Sequence, residues 1–502
     1  MTKEKDHLHH LIKEMNKGEQ SYFKKIKSSF GVEDSAVLRL FDILAKQSDF
    51  DEEKAGKELE KEHNSDFFSV KKHHLFEEIL DVLHYSRMKK NDILWHINRY
   101  IGHALILKEK LMFDEAYKML HRAKKTAVEN ELFHKESEIN QQLIEIIIQG
   151  KSMTNFSFSE NVESLRNEII RANKKSINAE EYFMLADRVY RKGEELRLSA
   201  NNKLKQEVKQ LFSAHMLEEI GIAQSITALG CYHFIMHSRY LNYDIKLDRA
   251  LYHLRELIQL QSKIKRFSLR SRAAQMGNYI VLALRNKQFK QAEEMLQWME
   301  DLTKEQNDDF IHSTILAHKG IILSSKGEEN ELKDFVIQVE KNHLPKIENA
   351  KVTKEILEIL HLLFCYYFSH DEIKKAYRIA HHIDKEFDLH SFKNMKLNEK
   401  LLKLLCAYEM NDHELMLSEI RAIKYLKKST ETFLEIEMFI FSVLEKLAKT
   451  EKVKLHSNIL QSYLDEHQKI ADTDKYSFIY HGFNFTLWVE KKIINIKTQP
   501  FS

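Results

Sequence analysis

Large apolar residues in this chain recur at steps of three and four, the period of a helix buried along one face. The stretch Phe289-Lys-Gln-Ala292-Glu-Glu-Met-Leu296 shows the rule. Phe289, Ala292, Leu296 and Met299 share one face, and Lys290, Gln291, Glu293 and Glu294 cover the wet side. The small Ala292 admits a close neighbouring helix. The same pattern returns at Leu247–Leu254, Leu332–Phe335, Ile373–Ala376 and His413–Met416. The fourth positions, Ala250, Ala292, Phe335, Ala376 and Met416, are spaced 42, 43, 41 and 40 residues apart. Partner helices lie between them at Phe267–Arg285, Phe310–Ser325, Thr353–Phe368 and Met395–Glu409. A helix pair that buries its face only against neighbouring pairs defines a solenoid. The expected fold is therefore all-α, a right-handed α-solenoid of antiparallel helix pairs with a period of about 40–43 residues.

Ahead of the repeats, residues 1–90 predict a bundle of short helices near Leu8–Met15, Gln20–Ser28, Ser35–Lys46, Glu52–Glu62 and Phe67–Ser86. Asp51–Glu62 has the place of a recognition helix in a helix-turn-helix, but its Glu52, Glu53, Glu58, Glu60 and Glu62 make it a poor reader of DNA. Residues 91–240 predict a less regular region of helical hairpins. It has a polar break at Lys151–Glu160, with Ser159 or Asn161 as a cap, a turn at Asn201-Asn202 and a deeply buried apolar run at Ile220–Met236. Repeats occupy 241–450, and 451–502 caps the stack. The aromatic tail, with Tyr476, Phe478, Tyr480, Phe483, Phe485 and Trp488, reads as a terminal helix; Phe483-Asn-Phe485-Thr-Leu487 also alternates as a short strand does.

Only two prolines and twelve glycines occur in 502 residues, far below the average of about 5% and 7%. That excludes turn-rich β architectures. Charged residues make up 31% of the chain but cancel to +2, so charge argues against nucleic acid or an anionic membrane as an obligatory partner. Cys231, Cys365 and Cys406 are isolated, without C-x-x-C spacing. With no signal segment and no long apolar run, the chain reads as a cytoplasmic protein.

The helix pairs resemble the tetratricopeptide repeat. Phe113, Ala116, Leu120 and Ala123 fit its second helix, as do Ile373, Ala376, Ala380 and Ile383, with Tyr367 at the first-helix aromatic position. The first-helix glycine is replaced by Ala104, Ile280, Phe364 and Leu404, the closing proline is missing, and the period exceeds the family's 34 residues. The likeness covers roughly residues 91–130 and 245–450. The whole chain also resembles a group of uncharacterised bacterial helical-repeat proteins ending in a segment like Trp488-Val-Glu490-Lys491, a likeness that implies no activity. By position in the tetratricopeptide pattern, Asn98, Lys108, Arg285, His361, Asn398 and Tyr408 are the candidates to face a concave groove and bind a peptide.

No catalytic constellation appears. Phosphate loops, dinucleotide fingerprints and nucleophile elbows are absent, as is H-E-x-x-H. His382, Glu386 and His390, with Asp384 and Asp388 nearby, are the best metal spacing, yet they read as the polar face of a helix. No enzyme activity, cofactor or metal is expected. The expected function is a protein-interaction scaffold that binds a peptide or partner protein. The alternative is a transcriptional or signalling regulator, with residues 1–90 contacting DNA or a polymerase and the repeats sensing a peptide.

Overall fold

The computed structural model describes residues 6–29, 36–48, 50–60, 68–87, 93–153, 157–158, 160–198, 202–264, 267–304, 308–344, 354–386, 396–429, 435–450, 453–470 and 483–498. Among them there are α-helices and two 3₁₀ turns, and no strand. The chain divides into two units, Met1–Ser176 and Ile177–Ser502.

In the first unit, α1 (His7–Glu14), α2 (Lys17–Ser29), α3 (Ala36–Lys46), α4 (Glu52–Glu60) and α5 (Phe68–Arg87) surround one core. Phe23, Phe41, Leu44, Leu59, Leu75 and Ile79 lie at its centre. Local signals start these helices. Asp6 accepts from the His9 amide at 2.9 Å, and Asp51 from that of Lys54 at 3.0 Å. Asn16 and Glu19 form a reciprocal capping box at 2.9 and 3.0 Å, which meets two of the amides a helix start leaves over. The expected caps around Gly31, Asp34 and Ser35 fall outside the described residues.

Longer helices follow: α6 (Ile93–Glu109), α7 (Phe113–Glu129), α8 (Phe133–Met153) and α9 (Val162–Leu198). Phe113, Ala116, Leu120 and Ala123 are all buried, as their spacing required. The polar break begins later than the sequence suggests, because α8 continues through Met153. Asn161 accepts from the Glu163 amide at 2.9 Å. One helix of 37 residues, α9, opens the middle region.

The second unit continues with α10 (Asn202–Leu211), α11 (Ile226–Asn242), α12 (Leu247–Lys263), α13 (Leu269–Arg285), α14 (Phe289–Thr303), α15 (Asp309–Lys326) and α16 (Glu329–Asn342). It ends with α17 (Lys354–Ser369), α18 (Ile373–Glu386), α19 (Lys396–Glu409), α20 (His413–Ser429), α21 (Glu435–Lys449), α22 (Val453–Ile470) and α23 (Phe485–Thr498). The apolar run Ile220–Met236 is not one buried helix. Ile220 is exposed on a 3₁₀ turn, and α11 begins only after Ser225, whose hydroxyl accepts from the Ala228 amide at 3.0 Å. The stretch Phe483–Leu487 enters α23, not a strand. Tyr476, Phe478 and Tyr480 lie outside the described residues.

Sequence neighbours pack on one another from α11 to α16 and again from α17 to α23, and α13 with α15, α15 with α17, and α19 with α21 pack as alternate partners. Ala250, Ala292 and Ala376 are fully buried. Beside Ala292 the core takes Met295 and Met299, while Leu296 is only half buried. Glycine does set helix approach here, but at other positions than the tetratricopeptide pattern predicts. A Cβ at Gly277 would come within 2.5 Å of the His318 ring, and one at Gly320 within 2.2 Å of Leu362.

A common turn joins many helices. At Leu111, Glu131, Ile245, Lys287, Gly327, Asp371 and Asn411, each two residues before the next helix, φ is 49–71°. The following amide reaches back to the preceding helix, as in Met112 N to Leu107 O at 2.9 Å and Asp412 N to Ala407 O at 3.0 Å. This left-handed closure satisfies carbonyls that a helix end leaves over.

Candidate partner-binding site

Helix α23 meets the C-terminal end of α19 through a polar clamp. The Trp488 indole Nε1 donates to Glu409 Oε1 and Lys492 Nζ to Glu409 Oε2, both at 2.6 Å. Lys492 also lies 5.3 Å from the Tyr408 ring centre, and Trp488 meets that ring edge-on at 5.8 Å. The Tyr408 hydroxyl is 3.0 Å from His456 Nδ1, and His456 Nε2 is 2.7 Å from the Thr450 carbonyl. A carbonyl only accepts, so Nε2 carries the proton and Nδ1 accepts from Tyr408. Burial raises the Tyr408 pKa, with the nearby Glu409 charge adding to it. Phe483 packs edge-on against Phe364 and Phe368 at 6.0 and 5.0 Å.

Beside this clamp opens a cleft of about 360 Å³. Tyr366 and Phe368 of α17 and Trp488 of α23 give it an aromatic wall; Asn484, Lys491 and Asn495 give it a polar rim. His370, at its edge, is 3.3 Å from Glu329 Oε2. Cys365 also lines the cleft, but burial pushes its thiol up to about 12, so it is not a thiolate nucleophile. The arrangement suits an apolar side chain flanked by hydrogen-bonding groups.

Of the residues singled out by sequence, Asn98 is exposed on α6, and Lys108 there is ion-paired with Glu145 at 2.9 Å. Arg285 is exposed at the end of α13. Two expectations are corrected. His361 and Asn398 do not face solvent: they are 6% and 2% exposed. α17 is apolar on most of its circumference, and α19 is buried nearly all round although it carries Glu399, Lys400 and Lys403. His361 Nε2 meets Glu399 Oε1 at 2.6 Å, a carboxylate the sequence reading missed. Tyr408 is half buried and holds α23 in place. In the histidine–acid spacing, His382 Nε2 is buried, and His390 and Asp388 lie outside the described residues. Among the described residues no group of three or more potential ligands could hold a metal ion.

A buried ionic network was also missed. Lys403 Nζ bonds Asp384 Oδ2 and Glu419 Oε1, each at 2.9 Å, and Lys400 reaches the same Asp384 oxygen at 3.1 Å. These side chains are 6–14% exposed. The signal was present: Lys400 and Lys403 stand three apart in the leucine-rich Lys396–Glu409.

A third buried polar group joins α11 and α12. His233 Nδ1 and His253 Nδ1 are 2.9 Å apart, and His237 Nδ1 bonds the Ala250 carbonyl at 2.9 Å. The His253 ring stacks on Tyr240 at 5.5 Å. Burial, then the neighbouring His233 and His237, lowers His253 to about 4. Burial also lowers His233, and both are neutral near pH 7, one ring donating to the other.

No family model matches the chain, and none of the curated proteins does. Among the described residues no helix is long and apolar enough to cross a membrane.

Proposed function

We propose that the chain is a non-catalytic protein-interaction scaffold. In this reading the helices form a right-handed, tetratricopeptide-like solenoid of antiparallel pairs, in a bacterial cytoplasmic protein, and a peptide or partner protein docks on its inner face. The observation that carries the reading is the cleft beside α23, with its aromatic wall and polar rim. Asn484 and Asn495 are suited to an extended peptide's backbone, Lys491 to a carboxylate, and Tyr366 and Trp488 to an apolar side chain. The pairwise packing of α13, α15 and α17 supports the solenoid.

Site-directed photocrosslinking tests it. A crosslinking residue at Leu487, exposed on the cleft, should capture a discrete protein or peptide in cells. The same residue at Tyr425, 77% exposed on α20, should not. Identical adduct patterns at both sites would refute the cleft as the docking site.

A further inference from the structure

Helices α12 and α14 both pack on α13, and a second cleft, of about 310 Å³, opens among the three. Helical register assembles its lining. Arg255 and Gln259 stand one turn apart on α12, while Gln291, Glu294, Met295 and Trp298 share one face of α14. Tyr279 of α13 and Met295 are buried and floor the cleft, and Trp298 is half buried. The Tyr279 hydroxyl donates to Gln291 Oε1 at 2.8 Å, which leaves the Gln291 amide nitrogen as a donor.

Charge decides what fits here. Arg255 and Glu294 are both exposed on the lining, and among the described residues neither makes an ion pair or a side-chain hydrogen bond. Both act on the same buried hydroxyl. Burial raises the Tyr279 pKa, the Arg255 charge opposes that rise and the Glu294 charge adds to it. Opposite charges thus stand at one small cleft without neutralising each other. A simple anion would be drawn to Arg255 but repelled by Glu294, and a simple cation the reverse. A molecule that carries both charges on an apolar body satisfies both. Met295 and Trp298 cover its apolar part, and the carboxamides of Gln259 and Gln291 supply hydrogen bonds. The volume lies at the small end of ligand pockets, which suits a small molecule.

We infer that this cleft binds a small zwitterion of the amino-acid type with an apolar side chain, its carboxylate on Arg255 and its ammonium on Glu294. A free amino acid and a dipeptide share this chemistry. None of the residues that line the cleft beside α23 takes part, so the site is independent of the scaffold reading.

The full-length chain is titrated by calorimetry with leucine, phenylalanine and leucyl-leucine, and the tightest binder distinguishes amino acid from dipeptide. One-to-one, saturable binding is expected. Acetylating the ligand's amine or amidating its carboxylate should each weaken it by about tenfold or more, because one protein charge is then left unmatched. Arg255→Ala should weaken the zwitterion similarly and abolish the penalty for amidation. Glu294→Gln should do the same for acetylation. These paired losses separate recognition from damage to folding, and helical content by circular dichroism should stay at the parent's value because both side chains are exposed. Absence of saturable binding by all three probes at millimolar concentration would overturn the inference. So would capped ligands that bind as tightly as the zwitterion, or binding that survives both substitutions unchanged.

Discussion

Two parts of the second unit bury polar groups in opposite ways. Between α18, α19 and α20 the solution is ionic: Lys403 is held by Asp384 and Glu419. Between α11 and α12 it is neutral: His233 and His253 share one hydrogen bond among aromatic rings. Burial alone would push both networks toward neutrality. In the first, burial raises the Asp384 pKa, but the bonds from Lys403 and Lys400 win and hold it below its ordinary value. Burial likewise lowers Lys403, and its two carboxylates overcome that and raise it. In the second the one opposing carboxylate, Glu256 near His233, is outweighed by desolvation, and the charged form is lost. The contrast teaches that a group's neighbours, and not its depth, fix whether it stays charged.

The comparison breaks most sharply at Lys403. Lys403→Met should cost roughly 3–5 kcal/mol, because Glu419 is then buried without its cation. Urea unfolding measures this, and a loss under about 1 kcal/mol would mean that the network is already wet. The pH response comes next. Asp384, with a lowered pKa, contributes stability that is present above about 3.8 and lost as pH falls below it. Lys403, raised, contributes below 10.5 and loses its contribution as pH climbs past that. The histidines are lowered, so their contribution is complete above about 6.5. It is lost as pH falls, because the unfolded chain protonates them first, and for His253 the loss ends near 4. Between those values stability should fall by up to ~1.4 kcal/mol per pH unit for each such histidine. Substituting His253 should flatten this slope, while substituting Asp384 should leave it unchanged.

Smaller effects sharpen the contrast. His253→Phe alone should cost about 1–2 kcal/mol by leaving His233 without its ring partner. The double variant His233→Leu/His253→Phe should lie within about 1 kcal/mol of the parent, since two apolar groups replace a satisfied pair. Thermal melting distinguishes these outcomes. A double variant as damaged as Lys403→Met would show that the histidine pair is also irreplaceable.

Helical class and most helix positions were legible in the sequence because burial of a single face leaves a periodic trace, as at Phe113–Ala123 and Ala292. Where a helix is buried nearly all round, the trace fades. His361 and Asn398 read as surface residues because a polar side chain on a helix ordinarily faces water, whereas here both are buried. The cleft was less legible still. It is formed where Trp488 and Lys492 reach Glu409, 79 and 83 residues away in sequence, and no local pattern encodes that meeting. The Gly277–His318 approach likewise depends on the pairing of two separate helices.

The left-handed turns hold a consequence for engineering. Apart from Gly327, the residue in that conformation is Leu111, Glu131, Ile245, Lys287, Asp371 or Asn411. Of these only Asn and Asp accept it readily, and a β-branched residue there is an outlier. Ile245 is 51% exposed, so its side chain gives little back in packing. Relieving a left-handed side chain gains about 1–2 kcal/mol, against about 0.5–1 for glycine's freer unfolded state. Ile245→Gly should therefore raise the melting temperature, with Leu111→Gly and Lys287→Gly smaller gains of the same kind. The Ile245 and Lys287 turns are joined, since Asn286 and Gln288 each donate to Asp248 at 2.8 Å, so their two increments are coupled. Thermal robustness is thus held back at a handful of replaceable hinge residues, where it can be recovered without disturbing any helix face.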